Sequence, residues 1–511
     1  MTRRFMRLGA IALAATLALA GCSAAVTPAA DSSSSAPTGG TLTLAAVVDA
    51  ASWDTADAEF GNRLQYMQPV YDSLLHIDAD LQITPWLASA FSYNDDNTAL
   101  TLTLRDDVTF SDGEAFTADA VKANLEHFKA GTGQNSITLG AVESIEVTGD
   151  YEVVLGLSSA DPALLRNLAL VSGMMASPAV LDGGTLKTTP VGSGPYLLDS
   201  AATVVGSQYT YTRNPDYWNT EFFPYDSVVI KPLSDLTARL NALKAGEVDA
   251  ASADAKSMAE AEASNLTVNK MEGDWQGLFI VDRDGATVPA LADERVRQAL
   301  NYAIDGDAIL ASIRLGEGTS TTQIFSPTSQ AADDALNDAY PYDPEKAKKL
   351  LAAAGYEDGF DLTIPDIAGF SDLTTITTQS LTDIGIRVSV EPVSADQTIS
   401  ALLGGKFPVF IFSWGSSNAW QDILKLVQPS APWNMLGNQT PELDALIAAA
   451  QNAPADDADA AFQAVNEYLV DQAWFAPWFV QNNIYLSGAD TQVTMQPQNV
   501  VPYLWNYAPQ A

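Results

Sequence analysis

The chain has 511 residues, 47% of them hydrophobic, enough to bury two or three cores rather than one. Its 63 Asp and Glu against 25 Lys and Arg leave a net charge of -38, which argues against nucleic acid or anionic lipid as a partner. The carboxylates are dispersed rather than clustered, so the charge reads as a solubility trait of an exported protein in preference to a field that attracts cationic ligands.

At the N-terminus Arg3, Arg4 and Arg7 precede an uncharged stretch, residues 8–20, that is too short to cross a bilayer as a helix. That is the layout of a secretory signal, residues 1–21. It closes on Leu19-Ala20-Gly21-Cys22, which holds the only cysteine. One thiol forms no intrachain disulfide, and these four residues resemble the bacterial lipobox. The resemblance implies that Cys22 is acylated, each buried methylene adding about 0.8 kcal/mol of membrane affinity; the alternative is a free cysteine beside an ordinary cleavage site. Residues 22–40, rich in Ser, Ala, Pro and Gly, read as a flexible tether. No later stretch reaches the roughly 18 apolar residues of a spanning helix.

The globular part begins near Thr41, where alternation signals a half-buried strand. Leu100, Leu102 and Leu104 alternate with threonines after the turn-rich Asn94-Asp95-Asp96-Asn97, a hairpin pattern. From Thr117, a cap, the period becomes helical through Val121, Leu125 and Phe128. Strands are expected at 227–231 and 277–281. Asp293 caps a helix whose stripe is Val296, Ala299, Leu300, Ala303 and Ile304. Asp343 caps another, with Pro344 in its first turn, Ala347, Leu350, Leu351 and Ala354 inward, and Gly355 as its stop. Strands at 387–391 and 409–412 and a helix through Phe462, Val465 and Leu469 complete a mixed α/β chain of more than one lobe. No short internal period suggests a solenoid or propeller.

Chemistry-bearing patterns are sparse. His76 and His127 stand far apart with no second ligand at metal spacing, and His127 follows Glu126 inside an amphipathic helix. No G-x-S-x-G elbow is present. Gly192-Ser193-Gly194-Pro195 lacks the later glycine of a phosphate loop, and Pro195 removes a backbone donor, so it reads as a turn. Nothing singles out a carboxylate pair for glycoside hydrolysis. No catalytic residue, metal or cofactor is expected.

Residues 87–128 contain, in order, Leu104-Arg105, Phe110-Ser111-Asp112-Gly113 and Thr117-Ala118 with Val121. Further on come Pro190-Val191-Gly192-Ser193-Gly194-Pro195-Tyr196, Asn214-Pro215-Asp216-Tyr217-Trp218, Ala242-Leu243-Lys244-Ala245-Gly246-Glu247-Val248-Asp249, Arg295-Val296-Arg297-Gln298-Ala299-Leu300, Tyr342-Asp343-Pro344 and Pro441-Glu442-Leu443-Asp444. In content and order these resemble the family 5 extracellular solute-binding proteins of ABC importers. The resemblance implies an α/β, two-lobed periplasmic-binding-protein-like fold of type II, in its three-domain variant, that closes about a hinge. Lobe I would combine 41–72, 185–268 and 485–511; 73–184 would be the inserted second domain and 269–484 lobe II. Implied partners are a peptide or small-molecule ligand, the permease subunits with their ATPase, and the membrane through the lipid of a monomeric receptor. Arg105, Arg295 and Arg297 read as framework residues paired with carboxylates.

The family's peptide binders carry a Trp-Gly strand end followed by an Asp-Pro pair that receives the peptide amine. Here Phe412-Ser413-Trp414-Gly415 matches the strand end, but the continuation is Ser416-Ser417-Asn418-Ala419-Trp420-Gln421-Asp422. The Asp-Pro position becomes Ala419-Trp420. Asp422 either replaces the missing carboxylate or caps the helix expected near Ile423. Trp414, Trp420 and Trp275 are candidate stacking surfaces and Asp282 a candidate polar contact, whereas Trp86 and Trp218 read as core. The candidate site is therefore Trp414, Gly415, Ser416, Ser417, Asn418, Trp420, Asp422, Trp275 and Asp282. Peptide is the expected solute, with an oligosaccharide, another polar organic solute or a metal chelate as alternatives; a secreted hydrolase and a sensor or chaperone are the rival classes.

Overall fold

The structure, a computed structural model, describes residues 38–133, 135–181, 184–394, 397–415 and 418–510. The signal segment, Cys22, all but the end of the tether, and Ser416 and Ser417 lie outside them. The alternation at Thr41 produces the strand Thr41–Ala46, which pairs in parallel with both Ser227–Pro232 and Ala250–Ala253. Around it a nine-stranded sheet runs in the order Val409–Gly415, Thr267–Ile280, Phe475–Ser487, Ala250–Ala253, Thr41–Ala46, Ser227–Pro232, Tyr209–Arg213, Tyr196–Leu198, with Gly318–Ser320 also on Phe475–Ser487.

Two strands set the architecture. Thr267–Ile280 and Phe475–Ser487 pair with each other along most of their length, yet at one end Phe475–Ser487 carries Ala250–Ala253 and at the other Thr267–Ile280 carries Val409–Gly415. The strand expected at 277–281 is the apolar end of this longer one. Its polar first half, with Gly273 and Asp274, breaks the alternation that would have revealed it.

The hairpin read around Leu100 is Ala88–Tyr93 with Ala99–Leu104, extended by Glu152–Leu157 and Val142–Gly149 and covered by the helix Ala118–Ala130. Asp361–Ile367 and Arg387–Val393 pair in parallel, joined through the helix Ser371–Asp383. The capping chemistry follows the residues. Thr117, Asp293 and Asp343 each accept a backbone N–H of the helix they precede, and Pro344 occupies the first turn of Pro344–Ala353. Phe462, Val465 and Leu469 are the buried stripe of Ala458–Asp471. No helix among the described residues is long and apolar enough to cross a membrane.

Separate apolar cores gather on different stretches of the two long strands. One gathers Leu42, Leu44, Tyr209, Val228 and Tyr503 with Leu100, Leu102, Val121 and Leu125. Around the Ile280 and Phe475 ends of the strands, Leu278, Leu300, Leu351 and Ile364 form a second core, and Trp275, Phe279, Phe410, Trp420 and Phe462 a third. Each such side chain contributes roughly 1.5–3 kcal/mol on burial, so each stretch carries a core of its own.

Buried polar groups tie the frame together. Asp72 accepts from Trp86 Nε1 at 2.8 Å, Tyr217 Oη at 2.9 Å, and Ser193 Oγ and Trp218 Nε1 at 3.1 Å, which confirms both tryptophans as framework. Burial pushes its carboxyl up to about 6 while the four donors hold it back. His76 stacks on Trp86 with Phe222 and Trp505 around it, and burial lowers it to about 4. His127 bonds Asp54 Oδ1 at 2.6 Å. Arg105 and Arg295 do pair with Asp107 and Asp293. Arg297 departs from the expectation. It donates to the carbonyls of Leu291, Ala292 and Gln472, because at 5% exposure it reaches helix and loop ends rather than a carboxylate. Gly194 is required by close approach, since a Cβ there would stand 2.4 Å from the carbonyl carbon of Val70.

Candidate ligand-binding site

Where the long strands pass between the cores, the pairing of Thr267–Ile280 with Phe475–Ser487 slips between Glu272 and Trp275. The bulge places Gly273 and Asp274 at the mouth of a cavity of about 140 Å³. Asn483 of the partner strand, Gly415, Gln421 and Lys425 line it from one side, Arg166 and Asn167 from the other. It continues past Asn167 and Gln421 into a space of about 320 Å³, and past Arg166 and Gln498 into one of about 620 Å³. Together these form one cleft with Arg166, Asn167 and Gln421 at its waist.

Local sequence explains both walls. Asn418 caps the short helix Ala419–Asp422 by accepting from Gln421 N, and a π-helical turn, Ile423–Val427, follows and carries Lys425. Such turns recur at functional sites. Opposite, the helix Leu164–Ala169 buries Leu164 and Leu168 in the frame and carries Arg166 and Asn167. Gln421 Nε2 donates to Asn167 Oδ1 across the waist, and Gln451 Nε2 donates to Ala160 O at 2.9 Å. Ala163 is wholly buried in the third core, so the two walls are in contact.

The cleft is polar and incompletely satisfied. Arg166 is 8% exposed, and its Nε and Nη2 have no hydrogen-bond partner among the described residues. Burial lowers its pKa, with Tyr503 and Asp422 opposing. Burial likewise lowers Lys425, Asp422 opposing and Arg166 adding to the effect. Asp274 is raised by burial, with Ser413 Oγ at 3.2 Å and the charge of Arg314 holding it back. Both amide atoms of Asn499 and Gln498 Oε1 are buried without partners among the described residues. Buried donors and acceptors of this kind are met by water or by a bound solute.

The structure distributes the sequence candidates unevenly. Gly415, Asn418 and Trp420 line the cleft. Trp414, half-buried, donates through Nε1 to Asp422 at 3.2 Å and meets Trp433 edge-on. Asp422 is fully buried, and the helix begins four residues before the expected Ile423, so the cap is Asn418. Trp275 is fully buried and stacked on Phe279 at 4.7 Å. Asp282 accepts from the backbone N–H of Ala286, Thr287 and Val288 at 2.7–2.8 Å, fixing the loop after its strand. Neither of these two residues lines the cleft. Sequence reasoning missed Arg166, Asn167, Gln421, Lys425, Asp274 and Asn483, which come from separate segments. One signal was available: Arg166 interrupts the apolar run Leu164, Leu165, Leu168.

Comparison with known proteins places this geometry. Residues 82–424 match the model of the bacterial extracellular solute-binding proteins, family 5. The chain is 28% identical over 369 residues to the glutathione-binding protein GsiB of Salmonella paratyphi A, covering 69% of this chain and 70% of that one. To GsiB of Pectobacterium atrosepticum it is 27% identical over 455 residues, 84% of this chain and 85% of the relative. Among solved structures, HbpA2 from Haemophilus parasuis superposes with a TM-score of 0.82 at 21% identity, over 92% of this chain and 100% of that chain. The periplasmic binding protein DppA from Helicobacter pylori, in complex with the peptide STSA, gives 0.76 at 22% identity over 93% and 99%. The fold is thus the two-lobed one expected, and the chain belongs to the family 5 bacterial extracellular solute-binding proteins.

Proposed function

We propose that this protein is the receptor of an ABC importer: it captures a peptide outside the cell membrane, closes its lobes on it about Thr267–Ile280 and Phe475–Ser487, and presents it to a permease. The observation that carries this reading is the polar cleft where the two strands cross from one core to the other, walled by both sides and holding buried polar atoms without partners. Relatives named for glutathione, and a structural neighbour holding a tetrapeptide, support a peptide as the solute. Gly415, Asn418 and Trp420 belong to the wall contributed by the second lobe, with Trp414 and Asp422 behind it, and the chain acts by binding rather than catalysis.

Cys22 carries the lipid that keeps a monomeric receptor at the outer face of the membrane after removal of residues 1–21. In this reading 41–72, 185–268 and 485–511 make one lobe, 73–184 is inserted and 269–484 makes the other. The test is thermal unfolding against a panel of peptides, sugars and metal chelates, because a solute that binds only the folded state raises the melting temperature with its concentration. Peptides are expected to produce that rise. A response to sugars or chelates alone would overturn the peptide assignment. For the anchor, mass spectrometry of the mature N-terminus must find an acylated Cys22.

A further inference from the structure

The proposed capture site contains a group that specifies part of the solute. Arg166 leaves two adjacent donors, Nε and Nη2, buried and unpaired among the described residues. Arg239 donates to the carbonyls of Leu233, Ser234 and Ser252, and Arg297 to those of Leu291, Ala292 and Gln472, while Arg283 bonds Trp474 O through Nε and leaves Nη2 alone without a partner among the described residues. Arg166 has instead the ring of Phe60, 5.1 Å from its guanidinium carbon, and the open cleft.

Nε and Nη2 form one straight edge of the planar guanidinium, two parallel N–H donors spaced to meet both oxygens of a planar carboxylate. Lys425 lines the same cavity from the facing wall, near enough for Arg166 to add to the lowering of its protonation. In a chain with 63 acids and 25 bases, two cations converge on one cavity. Asp422 bears on both and Asp274 shares the cavity, yet Nε and Nη2 of Arg166 still lack an acceptor among the described residues, and burying them so is costly.

Building on the capture reading, we propose that Arg166 and Lys425 form a carboxylate subsite, Arg166 receiving a carboxylate of the solute side-on through Nε and Nη2 and Lys425 closing on the same group from the other lobe. The solute class is therefore an acidic peptide or one with a free C-terminus. A neutral sugar offers no charged, planar acceptor to the two parallel donors of Arg166.

The test is calorimetric titration of the full chain with tri-alanine and glutathione, each beside its carboxylate-blocked counterpart, tri-alanine amide and glutathione dimethyl ester. At least one free acid is expected to bind, and its blocked form to bind roughly tenfold to a hundredfold more weakly. Arg166→Met should erase that discrimination, and without ligand it should melt close to wild type, since it removes a buried cation two of whose donors have no partner among the described residues. Lys425→Met should reduce the discrimination in part. Equal affinity for acid and blocked form, or an Arg166→Met variant that keeps the preference, would overturn the subsite while leaving solute capture intact. A wild-type chain that binds no member of the panel would overturn the capture of peptides, and the subsite with it.

Discussion

A Cβ on Gly273 would stand 2.4 Å from Nδ2 and 2.6 Å from Cγ of Asn483, far inside ordinary contact. The obstacle is the end of a flexible side chain in the cleft, so Gly273→Ala should turn Asn483 away rather than deform the strands. If Asn483 gives the solute one neutral hydrogen bond, its loss costs about 1 kcal/mol, or roughly fivefold in Kd. The unliganded protein should lose nothing, because alanine also restricts the unfolded chain by about 0.4–1 kcal/mol. Gly194→Ala is the control. There the obstacles are backbone, Val70 C at 2.4 Å and Tyr71 N at 2.7 Å, held by Gly194 N to Val70 O at 3.1 Å and Tyr196 N to Pro69 O at 2.8 Å. Overpacking of about 1–3 kcal/mol plus strained hydrogen bonds predicts a loss on the order of 3 kcal/mol. Urea unfolding reads both stabilities, and calorimetry with a peptide that binds wild type reads Kd. A Gly273→Ala protein as destabilised as Gly194→Ala, with unchanged Kd, would refute the assignment of Asn483 to the cleft.

Acid should weaken the fold through His76. The unfolded chain protonates this group near 6.5 and the folded chain only near 4, so its contribution is intact above pH 6.5 and disappears as pH falls toward 4, up to about 3 kcal/mol. Asp72 and Asp161, raised from 3.8 to about 6, act in the opposite sense and favour the folded state as pH falls across that window. His76→Phe should leave only the second effect, giving urea midpoints that hold or rise between pH 6.5 and 4; a profile matching wild type would contradict this. Arg297→Met, which orphans three carbonyls, should cost about 2–4 kcal/mol, whereas Arg295→Ala, which breaks an exposed pair, should cost under about 1 kcal/mol; denaturant curves separate them. Asn418→Ala should lose about 1 kcal/mol with the cap of Ala419–Asp422, and a larger effect of Asp422→Asn on that helix's hydrogen-exchange protection than of Asn418→Ala would reverse the cap assignment.

The frame was legible because its signals are local. Thr117, Asp293 and Asp343 sit directly before apolar helical stripes, and the residue order around Gly194 and Trp218 carries the family. Thr267–Ile280 was half hidden, because a strand that passes between two cores has a polar stretch where it borders the cleft. The site was legible only along Trp414 to Asp422. Gly415, Asn418 and Trp420 reach the cleft, whereas Trp275 and Asp282, one residue type apolar and one polar, both turn inward. Alternation fixes which residues share a face, not which face meets solvent when both are covered. Arg166, Asn483 and Lys425 meet only through tertiary folding across hundreds of positions, and no spacing rule links them.

The central claim is that a solute is enclosed between the lobes at the Arg166–Asn483 cleft. A crystal structure of the protein with a peptide that raises its melting temperature tests this directly. The account predicts density in contact with Arg166 and Asn167 on one wall and with Gln421 and Asn483 on the other. Density confined to one lobe, or seated outside the cleft with Arg166 still unpaired, would contradict it.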